Sequence, residues 1–319
     1  MLKNYFKVAF RNLIRNKFYS SINIAGLSIG IAVSMLIMFY VFDELSYDRF
    51  HKDADQIYQV YMKARIQGKS EGGTNTCAPI ASASVDEIPE IKAATRINLW
   101  RDVVIRYEDK LFTEKKLLLA DSNFFSFFTF DLLEGNVDDV LDEPNQIILT
   151  ETSAKKYFDY EVGQGESPLG KMVLMGTDKT NCEIVGIVKD APSNSHFRFD
   201  MILSMQTWDF SKNTQWTSNS LYSYLKLADF ADPVQVEEKM KAMVDKYIGP
   251  ELEQYLGVSL EEWRKTGDDY GYFIQPMTDI HLHSKVEGNI EGTGNIAYVY
   301  LLSIVSIFII LIACINFMN

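Results

Sequence analysis

Two stretches of the 319-residue chain carry no charge. Phe18 to Phe42 reads FYSSINIAGLSIGIAVSMLIMFYVF, and the chain from Gly292 to Asn319 contains IAYVYLLSIVSIFIILIACINFM. A helix needs ~20 apolar residues to cross ~30 Å of hydrocarbon. Both stretches are long enough, and the pattern predicts membrane spans over 18–42 and 295–318. The alternative for each is a buried core helix. The first is too long for a signal-peptide core, and no small-residue cleavage site precedes the DELSYD that follows it.

Between the spans the pattern alternates between periods of two and of 3.6. QIYQVYMKA (56–64), TRINLW, DVVIRY and KKLLLA (to Ala120) read as strands, with a short helix in PIASASVDEI (79–88). NQIILT runs into a helix over TETSAKKYF, with Thr150 as N-cap. PLGKMVLM and CEIVGIVKD are strands, and Met205–Ser220 reads as loop. YSYLKL is a strand. Asp232, Pro233 and Gln235 open a helix with the apolar stripe Val236, Met240, Met243, Val244 and Tyr247, and Gly249 is the expected stop. YGYFIQPM (270–277) is again a strand. Five phenylalanines fall between Phe124 and Phe130, an aromatic cluster that reads as core. The pattern predicts an α+β domain with two related halves and an insertion between them.

Charge adds an orientation. Lys3, Lys7, Arg11, Arg15 and Lys17 precede the first span with no acid among residues 1–42. All 43 acidic residues lie in 43–291, with 26 of the 31 basic ones, a net charge of −17. Positive residues favour the cytoplasmic side, so the N-terminus is expected inside and 43–291 outside. Lys3, Lys7, Arg11 and Arg15 recur every four residues on one face of an amphipathic helix (1–17) that suits an interface with anionic lipid. They also serve simply as anchors for the span. So acidic a domain is unsuited to nucleic acid. Gly26, Gly30 and Ser34 form a small-residue stripe that would let another helix approach closely, although small residues also arise there by composition.

Candidate chemistry is sparse. No GxSxG, GxGxxG or Walker pattern occurs, and GQGESPLG (163–170) reads as a turn. Ser195 and His196 are neighbours in sequence only, which does not make a catalytic pair. Cys77 and Cys182 lie in the same segment, and spacing alone leaves open whether they pair. In QPMTDIHLHS, Asp279, His281 and His283 would share one face of a strand, a pattern compatible with zinc or iron. No fourth ligand is marked. The stretch is therefore expected to be the last strand of the domain, at its junction with the membrane, with no metal or other cofactor.

Several stretches resemble the permease subunits of MacB/FtsX-type ABC transporters, in a form found in Bacteroidetes-like bacteria. They are LKNYFKVAFRNLIRNKFYSSINIAGLSIGIA, DELSYDRFHKDADQIYQV, DSNFFSFFTFDLLEGN, VGIVKDAPSNSHFRFDMILS, QPMTDIHLHS and YVYLLSIVSIFIILIACINFMN. The resemblance implies an α+β periplasmic domain: a porter-like subdomain (about 43–122 and 221–291) with an inserted smaller subdomain (about 123–220), flanked by two transmembrane α-helices. It implies a non-enzymatic subunit of the bacterial inner membrane, working as a homo- or heterodimer with a cytoplasmic ABC ATPase. ATP hydrolysis would move the periplasmic domain, serving efflux, lipoprotein extraction or peptide handling. A periplasmic adaptor and an outer-membrane channel serve some relatives. It also implies that coupling elements and further spans follow Asn319, so that this is the N-terminal part of a permease. The same topology would suit a two-span receptor with a ligand-sensing outer domain.

Overall fold

The computed structural model describes residues 11, 14, 15, 17–66, 68–257 and 259–318. It divides into two units: residues up to 46 together with those from 294, and residues 47–293.

The first unit is a helix pair. Helix α1 (Lys17–Leu45) and the C-terminal helix Ile296–Met318 are both long and apolar enough to cross a membrane. Large apolar side chains such as Phe18, Leu36, Ile312 and Phe308 are exposed on them, as lipid contact requires.

The second unit is built on one mixed sheet. Its strands are β1 (Ile57–Ile66), β2 (Lys69–Gly73), β3 (Asn75–Cys77), β4 (Ile91–Trp100), β5 (Val103–Tyr107), β6 (Lys110–Glu114) and β7 (Leu117–Ala120). There follow β8 (Leu132–Glu134), β9 (Gln146–Thr150), β10 (Met172–Met175), β11 (Thr180–Val188), β12 (Met201–Ser204), β13 (Asn219–Leu227) and β14 (Asp269–Pro276). The helices are α2 (Ile80–Glu87), α3 (Phe124–Phe127), α4 (Glu151–Phe158), α5 (Pro233–Met243), α6 (Gly249–Leu256), α7 (Leu260–Lys265), α8 (Ile280–His283) and, in the first unit, α9 (Ile296–Met318). The strand order is β14-β1-β13-β4-β7-β12-β9-β11-β10-β5-β6. The first four make a split βαβ pair: β1-α2-β4 interleaves with β13-α5-α6-α7-β14. Two parallel pairings, β7 with β12 and β9 with β11, extend the sheet.

Strand alternation sorts the core into faces. Leu118, Ala120, Ile148 and Ile202 point into an aromatic core with Phe124, Phe125, Phe127, Phe128, Phe130, Phe197 and Phe199. Their neighbours Leu117, Leu119, Ile147, Leu149, Met201 and Leu203 point to the opposite face. β7, β9 and β12 are thus buried on both sides, which explains their unbroken apolar runs. The even residues of β1 and β14 pack on α5 to α7 through Val236, Met240 and Trp263.

Local chemistry matches several of the expected boundaries. The Thr150 side chain accepts from Ser153 N, capping α4, and Asp232 accepts from Val234 N at the start of α5. Two expectations are corrected. Gly249 does not stop the helix: α5 continues through a π turn (Val244–Ile248), and Gly249 begins α6 with helical φ −50°. Helical backbone is open to glycine, and Leu260 packs 3.7 Å from where its Cβ would stand. The DIHLH stretch is not a strand. β14 ends at Pro276, whose missing N–H closes the ladder, and Met277–His283 coils through a 3₁₀ turn into α8.

Candidate functional site

Asp279, His281 and His283 therefore do not share a strand face. His283 Nδ1 lies 3.4 Å from Asp279 Oδ1, an i,i+4 contact of half-exposed groups on helical backbone. His281 turns the other way and is buried, its ring stacked on Tyr47 with centroids 3.5 Å apart and planes 4° from parallel. Among the described residues no group of three His, Cys, Asp or Glu side chains is placed to hold a metal.

This stacking marks a seam. Tyr47 is the first residue of the 47–293 unit, and His281 lies near its end. Ala54 and Ile57 from the start share the aromatic core with Met277, Ile280 and Ile290 from the end. The two segments that adjoin the membrane helices in the chain are thus parts of one packed body.

A buried polar chain runs through the same region. Asp48 is fully buried, with φ of 60°, in a turn where its N–H donates to Asn194 O (2.9 Å). Its Oδ1 accepts from the His196 backbone N–H at 3.0 Å and lies 2.8 Å from His196 Nδ1. The second contact is close but not aligned as a hydrogen bond. His196 Nε2 meets Tyr224 Oη at 2.8 Å; Tyr224 Oη accepts from Gln59 Nε2 (3.2 Å), and Gln59 Oε1 from Gln275 Nε2 (2.7 Å). Ser195 plays no part, since its hydroxyl donates to Phe197 O. An acid, an imidazole and a hydroxyl in line resemble a catalytic relay, but Asp48, His196 and Tyr224 are all buried and open to no substrate. This arrangement holds β1, β13, β14 and the segment after α1 together. No spacing pattern marks it, because Asp48 and His196 are 148 residues apart.

His51 sits beside this chain. Its Nδ1 accepts from Thr129 N–H at 3.0 Å. Burial pushes its pKa from 6.5 down to about 4; His196 and Lys226 add to the fall, and Asp48 opposes it. The unfolded chain then binds more protons than the fold between pH 6.5 and 4, so stability falls as pH drops through that window. The loss amounts to about 3 kcal/mol once pH is below 4. His51→Asn keeps an acceptor for Thr129 and removes the titration. Urea unfolding from pH 7 to 4 should show a flatter pH dependence for the variant, and identical slopes would refute the assignment.

In the helix pair, the small-residue stripe faces α9. A Cβ on Gly30 would stand 2.8 Å from Ala313 Cβ, and one on Gly26 3.6 Å from Asn316 Nδ2. Ser34 Oγ lies 2.5 Å from Ser306 Oγ and donates to Ser306 O at 3.1 Å, with both serines buried. Arg11 and Arg15 are helical and exposed, whereas Lys3 and Lys7 lie outside the described residues. Cys77 and Cys182 are buried free thiols, pushed up by burial to about 11 and about 12.

Comparison with known proteins places this geometry. The family profile of the MacB-like periplasmic core domain matches residues 20–243. The chain belongs to that family, and its 47–293 unit is the periplasmic domain of a MacB/FtsX-like ABC transporter permease. A permease-protein domain from Porphyromonas gingivalis shares the fold, at 24% identity and TM-score 0.58, over 71% of this chain and 91% of that one. The periplasmic region of MacB from Actinobacillus actinomycetemcomitans aligns at 18% identity and TM-score 0.45, over 70% and 90% of the two chains. The extracellular domain of the ABC-type transporter YknZ from Gram-positive bacteria aligns at 14% and 0.44, over 69% and 99%. No curated protein matches.

Proposed function

We propose that this chain carries motion from a cytoplasmic ABC ATPase, through its two membrane helices, to the periplasmic domain of a dimeric permease that exports or extracts its substrate. The observation that carries the reading is the seam. Because Tyr47 stacks on His281 and Ala54 shares a core with Met277 and Ile290, the two ends of the domain move as one. A displacement at the end of either helix would shift the whole body rather than unravel a tether. A two-span receptor would share the topology, but the family match supports the permease.

On this reading the N-terminus is cytoplasmic, with Lys3, Lys7, Arg11 and Arg15 at the lipid interface, and Asp279, His281 and His283 mark the junction with the membrane. The porter-like subdomain is the split βαβ pair, 47–100 and 219–293, with 101–218 inserted. An adaptor and an outer-membrane channel would be further partners.

The test uses the full-length gene product reconstituted with its ATPase. Spin labels on the two periplasmic domains of the dimer should change separation between the ATP-bound and nucleotide-free states. Equal separations in every nucleotide state would overturn the reading.

A further inference from the structure

The turn that follows α1 holds an imidazole with two possible partners. The His51 N–H donates to Asp48 O at 3.3 Å, closing a turn that sets the two side chains three residues apart. His51 is 3% exposed. Its ring lies among Phe50, Phe128 and Phe130, with centroids 4.0, 5.4 and 5.1 Å away. Thr129, in the segment after α3, clasps the turn at two points. Its N–H donates to His51 Nδ1 at 3.0 Å, and its Oγ1 accepts from the Lys52 N–H at 3.0 Å.

Hydrogen-bond direction fixes the state of the ring. A backbone N–H can only donate, so Nδ1 is the acceptor and the proton of the neutral imidazole stands on Nε2. Nε2 is buried and has no hydrogen-bond partner. A second proton would go to Nδ1 and set one donor against another, which breaks the clasp. The same turn carries a buried acceptor in need of a donor. Asp48 gives Oδ1 to the His196 N–H and leaves Oδ2 without a partner. Of the charged groups that act on His51, Asp48 draws a proton to it, whereas His196 and Lys226 oppose one. Lys226, on β13, is itself paired with Asp53 at 3.1 Å. Tyr224, also on β13, turns its hydroxyl to His196. Arg49 and Lys52 are exposed, and Phe124–Phe130 brings no charge.

We propose that His51 is a proton-operated clasp: neutral, it holds the Thr129 N–H; protonated, it releases Thr129 and turns its ring to Asp48 Oδ2. The ring chooses between a backbone donor and a carboxylate acceptor, a two-state element biased by one proton. The released state binds one proton more than the clasped one, so falling pH favours release. What loosens is the tie between the turn at 48–52 and the segment 128–131. Asp48 keeps the His196 N–H on Oδ1, so the turn stays anchored on that side. β7, β9 and β12, buried on both faces, keep their ladders. The clasp thus sets, according to pH, how firmly the segment after α1 grips the aromatic core. It lies wholly within the 47–293 unit, so the inference is independent of ATPase coupling and holds for a permease or a receptor equally.

The experiment uses the full chain in nanodiscs, with histidine ring ¹⁵N spectra and hydrogen exchange read by mass spectrometry from pH 7 to 4. The chain has four histidines, and His51→Asn assigns the His51 signal. At neutral pH the His51 ring should carry its proton on Nε2 alone. On acidification both nitrogens should become protonated, and protection in peptides spanning 128–131 should fall about tenfold while peptides spanning β7 and β12 keep theirs. Protection factors are compared rather than raw rates, because exchange itself depends on pH. His51→Asn keeps an acceptor for Thr129 and cannot titrate, so its protection at 128–131 should stay level. Asp48→Asn keeps an acceptor for the His196 N–H but carries no charge, so the His51 titration should move down by about one pH unit. A His51 ring protonated on Nδ1 at neutral pH would overturn the proposal. So would acid opening of 128–131 in His51→Asn as in the parent, protection lost from every strand at once, or a His51 titration unmoved by Asp48→Asn.

Discussion

Asp48→Ala should destabilise the periplasmic domain by about 3–5 kcal/mol, the range for removing one partner of a buried charged contact. Two losses combine. The His196 backbone N–H loses its acceptor inside the core, and the imidazole loses the carboxylate 2.8 Å from its Nδ1. A buried donor left unpaired forfeits its full desolvation energy. The backbone contributes separately, because Asp48 has φ of 60°, where alanine is disfavoured and asparagine and glycine are tolerated. The series therefore separates the causes. Asp48→Asn keeps an acceptor and suits the backbone, so it should lose least. Asp48→Gly suits the backbone only and should fall between. Asp48→Ala should be worst, lowering the melting temperature by roughly 6–20 °C for a domain of this size. Thermal unfolding of the three variants checks the order. An alanine variant within about 1 kcal/mol of the parent would show that the polar chain is not needed for stability.

What could be read beforehand was what local chemistry controls. Thr150 and Asp232 cap their helices because a side-chain oxygen two or three residues ahead of a free N–H needs no tertiary help. The doubly buried strands at Leu117–Ala120 and Gln146–Thr150 announced themselves as unbroken apolar runs, and the phenylalanine cluster announced itself as core. The charge step at Phe42 marked the change from membrane to solvent. The errors also have physical reasons. QPMTDIHLHS alternates polar and apolar residues, which suits a strand, but Pro276 ends the ladder and Ile280 is drawn back into the core, so the backbone coils. Gly249 looked like a stop because glycine often ends helices in left-handed geometry; here the true left-handed stop is Gly257, with φ of 72°. β2 carries no strand pattern because Lys69–Gly73 is polar and glycine-containing and is held extended by pairing with β1, and β3 is three residues long, held by pairing with β13. The polar seam was invisible for a different reason. Asp48, His196, Tyr224 and Gln275 come from four distant segments, and no spacing rule links them.

Gly30→Leu should separate the two membrane helices at their tightest point. Even the first added carbon would stand 2.8 Å from Ala313 Cβ, well inside van der Waals contact, and the facing atom belongs to a short side chain that cannot move aside. The helices must then part or rotate, which breaks the Ser34–Ser306 contact four residues along α1. Within a bilayer, apolar association has no hydrophobic driving force, so close packing and such hydrogen bonds hold the pair. Ser34→Ala with Ser306→Ala should therefore loosen it by only about 1 kcal/mol, whereas Gly30→Leu removes packing and hydrogen bonding together. Cysteines at 34 and 306, in a Cys314→Ser background, give the readout. With the serine oxygens 2.5 Å apart, the cysteines should form a disulfide on mild oxidation. A protease site placed in the exposed turn at 177–179 would let a denaturing, non-reducing gel show whether the fragments stay joined. Most molecules should cross-link in the Gly30 parent and few in the Gly30→Leu variant, while a cysteine at the exposed Ile304 should not cross-link to position 34. Equal cross-linking with glycine and leucine at position 30 would mean that the small-residue stripe does not set the distance between these helices, and the stripe would then be free to receive a helix from another subunit.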